Sequence, residues 1–265
     1  MRKILAYFSI NLKESLNYRA RSFIWFLMDI YPTLIFILFF SAVFSERELI
    51  GNYSFNSILV YYLITLSLNV LVVSHPEWGI AENINQGFLS SFLLKPMNFL
   101  KFCIANELAY KGNRSIFLIP FITAIIIFVP SVSQHMSLDL LQGLTLLVMI
   151  SLAFVTYFFI KTLIGFAAFW FTEVVWLLGV WESISLLFSG LTIPIDLMPP
   201  FFQKIATVLP IKYAIFMPAQ IILGKVSLKE QFIGILIQMA WLTFLIFLTR
   251  KIWRKGVRIY SAYGG

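Results

Sequence analysis

The chain of 265 residues is 60% hydrophobic and only 12% charged, with a mean hydropathy of +0.89 and a formal net charge of +8. Soluble domains are about a quarter charged, so this composition excludes a water-soluble globular protein and leaves the excess apolar surface to face lipid. The basic residues flank apolar runs, the mark of membrane topology rather than of nucleic-acid binding, and a single cysteine, Cys103, excludes a disulfide framework.

In chain order, Leu5, Phe8, Leu12 and Leu16 recur at helical spacing beside a basic rim of Lys13, Arg19 and Arg21. This predicts an amphipathic helix over 1–21 lying in the membrane interface. It does not read as a cleaved signal, because Asn11, Lys13, Glu14 and Asn17 interrupt any apolar core. Six runs then approach the roughly 20 apolar residues needed to span a bilayer. They are Ser22 to Phe44, Tyr53 to Val73, Ser115 to Val132, Leu138 toward Phe169, Val174 to Ile193, and Phe232 to Thr249. The third is short and holds Pro120 and Pro130. The fold class expected is an all-α integral membrane protein of six transmembrane helices, forming one domain over 1–265.

Orientation follows from the cations. With the N-terminus inside, the inner segments hold fifteen of the 20 Lys and Arg. Arg47, Lys204, Lys212, Lys225 and Lys229 fall outside. The positive-inside rule therefore places both termini in the cytoplasm. The four lysines after the fifth span are a local exception.

Two connections are long for simple turns. The inner one, His75 to Arg114, contains Ile84, Phe88, Leu89, Phe92 and Leu93 on one helical face, then Lys95 and Pro96. Pro96 should end that helix, because the residue before proline is driven out of the helical region. The spacing predicts one short cytoplasmic helix near 84–96 with an apolar face. The outer connection, 194–231, is apolar rather than polar. Leu197, Met198, Phe201, Phe202, Ile205, Val208 and Leu209 recur at helical period, with Pro199 and Pro200 placed to start the helix and Pro210 to stop it. A second stretch, Tyr213 to Leu223, should be interrupted by Pro218. Neither is long enough to cross, so a re-entrant hairpin dipping into the outer leaflet is expected.

Three ionisable residues lie within the spans, where charges are costly. Asp29 is close to the inner end of the first and should either anchor at the interface or bond a neighbouring helix. Lys161 and Glu182 lie about equally far from the inner turn joining spans four and five, which predicts an ion pair between them. His75 and His135 fall on opposite sides of the membrane and cannot share a metal.

Four local patterns, in order against six spans, resemble the small bacterial permeases of ABC-2-type exporters. They are Leu16-Asn-Tyr18-Arg19 before span one, and the inner run from Ile84 through Gly87, Leu89 and Leu93 to Lys95-Pro96. The third is Ser189-Gly190 followed by Pro194, Pro199, Pro200 and Pro210, and the fourth is the tail from Trp253 to Tyr260. The resemblance implies an interfacial elbow helix at 1–21 and a coupling helix near 84–96 that seats on an ATPase. It implies an outer hairpin at 194–231 capping the path, a sixth span at 232–250 and a cytoplasmic tail at 251–265. It further implies partner ABC ATPase subunits carrying ATP and Mg, a second permease chain, and residence in the bacterial inner membrane. This chain itself would bind no cofactor, because no Gly-rich phosphate loop of the Walker type occurs, and no metal, because one cysteine and two histidines on opposite sides build no cluster. Two other readings differ in class. An ion-coupled secondary transporter would use Glu182 or Asp29, but would be expected to show repeats with broken helices near the midplane. An intramembrane enzyme would need a nucleophile and base that the sequence does not bring together.

Overall fold

The computed structural model describes residues 9–10, 13, 19–94, 98–128 and 138–260. Among them the chain is helical throughout, with only an isolated bridge between Ile50 and Tyr53. The elements are α1 (Arg19–Phe44), α2 (Phe55–Val72), α3 (Pro76–Asn85), α4 (Leu89–Leu93), α5 (Phe99–Phe128), α6 (Leu140–Phe166), α7 (Val175–Phe188), α8 (Pro200–Val208), α9 (Phe216–Ile222) and α10 (Leu228–Ile259). Short 3₁₀ turns at Ala167–Phe169 and Ile195–Leu197 join some of them. The predicted interfacial helix over 1–21 lies largely outside the described residues, as do Lys95, Pro96, Pro130 and His135.

Four segments are long and apolar enough to cross a membrane: Phe23–Phe44, Phe55–Asn85, Leu140–Phe169 and Leu228–Ile259. They correspond to the expected first, second, fourth and sixth spans. α2 sits at the centre, touching α1, α5, α6 and α9. Its Ile58, Tyr61, Tyr62, Ile64, Leu68 and Val72 form one core with Ile195, Ile211, Ile215 and Phe216 of the outer connection. α1, by contrast, leaves Trp25, Leu27, Tyr31, Leu34, Leu38 and Phe39 exposed, the surface a lipid-facing helix presents.

Several boundaries depart from the sequence-based expectation. The stretch expected as the third span is the second half of a longer helix: α5 starts at Phe99 and runs unbroken through Pro120. Membrane helices tolerate internal proline because neighbouring groups re-satisfy the freed carbonyl, and α1 likewise passes through Pro32. The fifth is shorter than expected. α7 has 14 residues, about 21 Å of axis against about 30 Å of hydrocarbon. It stops at Phe188 because Gly190 turns back with φ +83° and Thr192 donates its hydroxyl to the Leu186 carbonyl at 2.9 Å. The helix of the expected sixth span runs on into the expected tail, as far as Ile259.

The inner connection is nearly all helix rather than loop. The single helix expected near 84–96 is two: α3 ends at Asn85, Gly87 takes φ +79°, and the five-residue α4 follows. Glycine meets no Cβ penalty at such a positive φ, and the chain turns there. In the outer connection α8 begins at Pro200 with Pro199 as its cap, as the sequence indicates. Pro218 does not interrupt its stretch. It sits in the first turn of α9, where an amide has no partner to lose.

Candidate functional site

The central α2 breaks from α3 at Val73–His75. Pro76 can open a helix but forces His75 out of helical geometry, and His75 takes φ −131° and ψ 43°. A helix break inside a packed core strands carbonyls on one side and amides on the other. Two residues of α5, one turn apart, answer both. The Lys111 ammonium donates to the Val70 carbonyl at 2.8 Å and also to that of Val73. The Glu107 carboxylate accepts the His75 amide at 3.1 Å. A cation thus sits at the end of α2 and an anion at the start of α3, the signs each helix dipole favours.

Arg114, one turn further along α5, continues the stripe. It is buried and paired with Asp29 of α1, donates to the Trp25 carbonyl at 2.9 Å, and lies 5.1 Å from the centre of the Tyr110 ring. Of the two roles open to Asp29, interfacial anchoring and a bond to a neighbouring helix, the structure shows the second.

A second group joins α3 to α6 and α7. The expected contact between Lys161 and Glu182 is present. Sequence reasoning missed the third member: Glu77, in the first turn of α3, lies 3.2 Å from the Lys161 ammonium. Neither Lys161 nor Glu77 exposes any side-chain surface, whereas Glu182 is half-exposed. His75 Nδ1 is 3.4 Å from Glu77, linking this group to the break. A lone charge in hydrocarbon costs at least about 2.5 kcal/mol on insertion scales, so the partners account for its presence. α3 and α6 also approach closely: a Cβ on Gly165 would stand 2.9 Å from the Ile80 side chain and 3.1 Å from the Glu77 backbone.

The residues expected to form a docking face are divided. Ile84 and Leu89 point inward, packed with Phe99, Phe158 and Phe166. Leu93 is exposed, and so are Phe88 and Leu94, the latter at 88%. Gly87, with φ +79°, turns the chain between α3 and α4, so each set holds residues of α4. The Tyr260 hydroxyl accepts the Ser90 amide at 3.3 Å, so the end of α10 and α4 lie at the same end of the bundle.

At the other end, Ser189 and Gly190 close α7 against α2. The Tyr61 hydroxyl donates to the Gly190 carbonyl and that of Tyr62 to Thr192, both at 2.5 Å. Pro194 precedes a 3₁₀ turn that carries Asp196, and Pro210 follows the end of α8. The Asp196 carboxylate accepts from the Tyr53 hydroxyl, 2.9 Å away, while Gln220 of α9 donates to that same hydroxyl. Burial raises the Asp196 pKa from its ordinary value, against the pull of the Tyr53 hydrogen bond. Beside it a cavity of about 570 Å³ carries Lys212, Lys225 and Glu230, charges of both signs.

Residues 30–264 match the family model described as "ABC-2 family transporter protein". No curated protein matches the chain.

Proposed function

The chain belongs to the ABC-2 family of transporters, and is a membrane permease of an ABC-type transporter rather than a catalytic subunit; from that premise we propose that it forms one half of an ATP-driven export path and is coupled to a separate ATPase. The single observation that carries the coupling is the attachment of the α3–α4 arm. Glu77 fastens α3 to Lys161 of α6, and Lys161 fastens Glu182 of α7. A push on the arm is thereby passed to α6 through a contact buried on both sides, and on to α7 through one whose Glu182 end is half-exposed. Phe88, Leu93 and Leu94 offer the ATPase an apolar knob at the arm's tip.

In this reading the six expected spans cross the inner membrane with both termini in the cytoplasm. α7 crosses with the help of the non-helical 189–193, and the outer connection dips into the outer leaflet over the path. A second permease chain completes the path, and ATP and Mg reside on the ATPase. The meeting of α4 with the end of α10 supports placing the inner connection and the C-terminal end on one side. The ion-coupled alternative is weakened because Asp29 and Glu182 each have a cationic partner.

The test is co-purification with an ATPase bearing a Walker loop, followed by substitution of that loop's lysine. Transport should stop. A complex with no nucleotide-binding subunit that transports under a proton gradient would refute the proposal.

A further inference from the structure

Trp253 anchors an aromatic wall at the end of α10. Its ring stacks on Phe99, with centroids 5.5 Å apart and planes 13° apart, and leans on Phe166 at 5.2 Å. Beside this wall a cavity of about 530 Å³ opens between α4, the start of α5, α6 and α10. Phe92, Phe159 and Ile246 complete its apolar side. Lys101, Arg250 and Arg254 line the other side, and all three are exposed. Among the described residues none of the three forms an ion pair with a carboxylate.

The cations and the apolar residue that α10 gives the cavity's deeper part are graded by depth. Arg250 and Arg254 are one turn apart and share a face of α10. From Ile246 to Arg254 the helix advances about 12 Å, and the uncharged run of the sixth span ends between them at Thr249. Along α10 the cavity is therefore apolar at the depth of acyl chains, and at the depth of headgroups it is cationic with the Trp253 ring beside the charges. A free inorganic anion would satisfy the cations but leave the aromatic wall bare. A zwitterionic lipid would cover the wall but bring its own cation to three others. The volume lies within the range of about 300–1,000 Å³ typical of ligand pockets.

We propose that this cavity seats an anionic phospholipid of the cytoplasmic leaflet. Lys101, Arg250 and Arg254 hold its phosphate, and one acyl chain lies along Phe159 and Ile246. Basic pockets between membrane helices on the cytoplasmic side recognise such headgroups. The inference rests on α10 crossing the membrane with its C-terminal end inside, and not on the cargo or the ATPase.

Native mass spectrometry of the detergent-solubilised full chain, titrated with phosphatidylglycerol or phosphatidylcholine, tests it. Phosphatidylglycerol should bind preferentially, and K101Q/R250Q/R254Q should weaken it by about a hundredfold, from the usual contribution of three cations near a membrane surface. K251Q/K255Q, which removes two cations of α10 that do not line the cavity, should leave binding unchanged. Ile246→Trp fills the apolar side and should also abolish binding while keeping every cation. Equal loss in both charge variants would reduce the effect to general electrostatics and overturn the seat. So would binding that inorganic phosphate or ATP displaces, or that Ile246→Trp retains. A readout on the unmutated chain guards against misfolded variants. Brominated phosphatidylglycerol in nanodiscs should quench tryptophan fluorescence more than brominated phosphatidylcholine, and Trp253→Phe should remove that excess. Equal quenching by the two lipids overturns the proposal.

Discussion

Lys161 of α6 and Glu77 of α3 meet at 3.2 Å with no exposed surface on either side chain. The two are 84 positions apart in the chain, and their contact ties the inner connection to the membrane core. Removing one partner of a buried pair leaves the other uncompensated, at a cost of about 3–5 kcal/mol. Lys161→Met should therefore lower the thermal unfolding midpoint sharply in detergent, and Glu77→Gln combined with Lys161→Met should restore much of it. Glu182→Gln should cost about 1 kcal/mol or less, because that carboxylate is half-exposed. An unchanged midpoint for Lys161→Met would refute the clamp.

Gly190 and Gly179 make a matched pair of substitutions. At Gly190, with φ +83°, an added Cβ would stand 2.6 Å from the Tyr61 hydroxyl and 2.9 Å from Phe216 Cβ. Gly190→Ala should destabilise the outer connection by about 1–3 kcal/mol, read as faster proteolysis within 191–215. At Gly179 nothing lies within 4 Å of the new atom. Gly179→Ala should be neutral or stabilising by up to about 1 kcal/mol. Similar protease sensitivity in the two variants would contradict this packing.

The inner arm separates a folding residue from a proposed docking residue only five positions away. Leu89 is fully buried, and Leu89→Ser should cost about 2–5 kcal/mol and deplete the folded protein. Leu94 is almost fully exposed, and Leu94→Ser should change stability by no more than about 0.5 kcal/mol. Leu94→Ser, combined with Phe88→Ser, should reduce co-purification of the ATPase while leaving unfolding unchanged. Normal ATPase recovery from the double variant would move the docking surface elsewhere.

The Asp196 carboxyl gives the outer connection a pH dependence. Burial raises it above its ordinary value of 3.8, so the folded state binds the proton more tightly than the unfolded chain. Its contribution favours folding most below 3.8, and is lost as pH rises through the folded value. Relative to Asp196→Asn, the unmutated protein should gain stability on moving from neutral to mildly acidic pH. A difference between the two that stays flat across that range would refute the assignment.

How much of this was legible follows from where the signal lies. Asp29, Lys161 and Glu182 stood out because a charge inside an apolar run is conspicuous, and equal distances from a turn were enough to pair two of them. Glu77 was invisible on the same grounds. It lies in a polar stretch that reads as loop, and only the packing of α3 against α6 places it in the core. Glu107, Lys111 and Arg114 did carry a signal, since spacings of four and three put them on one face of α5. Reading the connection as a loop hid that stripe. The end of α7 was misjudged for a different reason: Leu191, Thr192 and Ile193 are apolar enough to continue a span, and the stop is set by Gly190 and the close approach of Tyr61.

α10 has a mechanical consequence as well. Its 32 residues make a rod of about 48 Å, some 18 Å longer than the hydrocarbon of a typical bilayer. Its far end is pinned to α4 through Tyr260 and Ser90, so the arm's tip is held at a fixed height by a strut. Any soluble subunit that engages the tip meets a lever with a rigid stop beside it. The length of that strut, more than the chemistry of the tip, would then gauge how far from the bilayer the subunit stands.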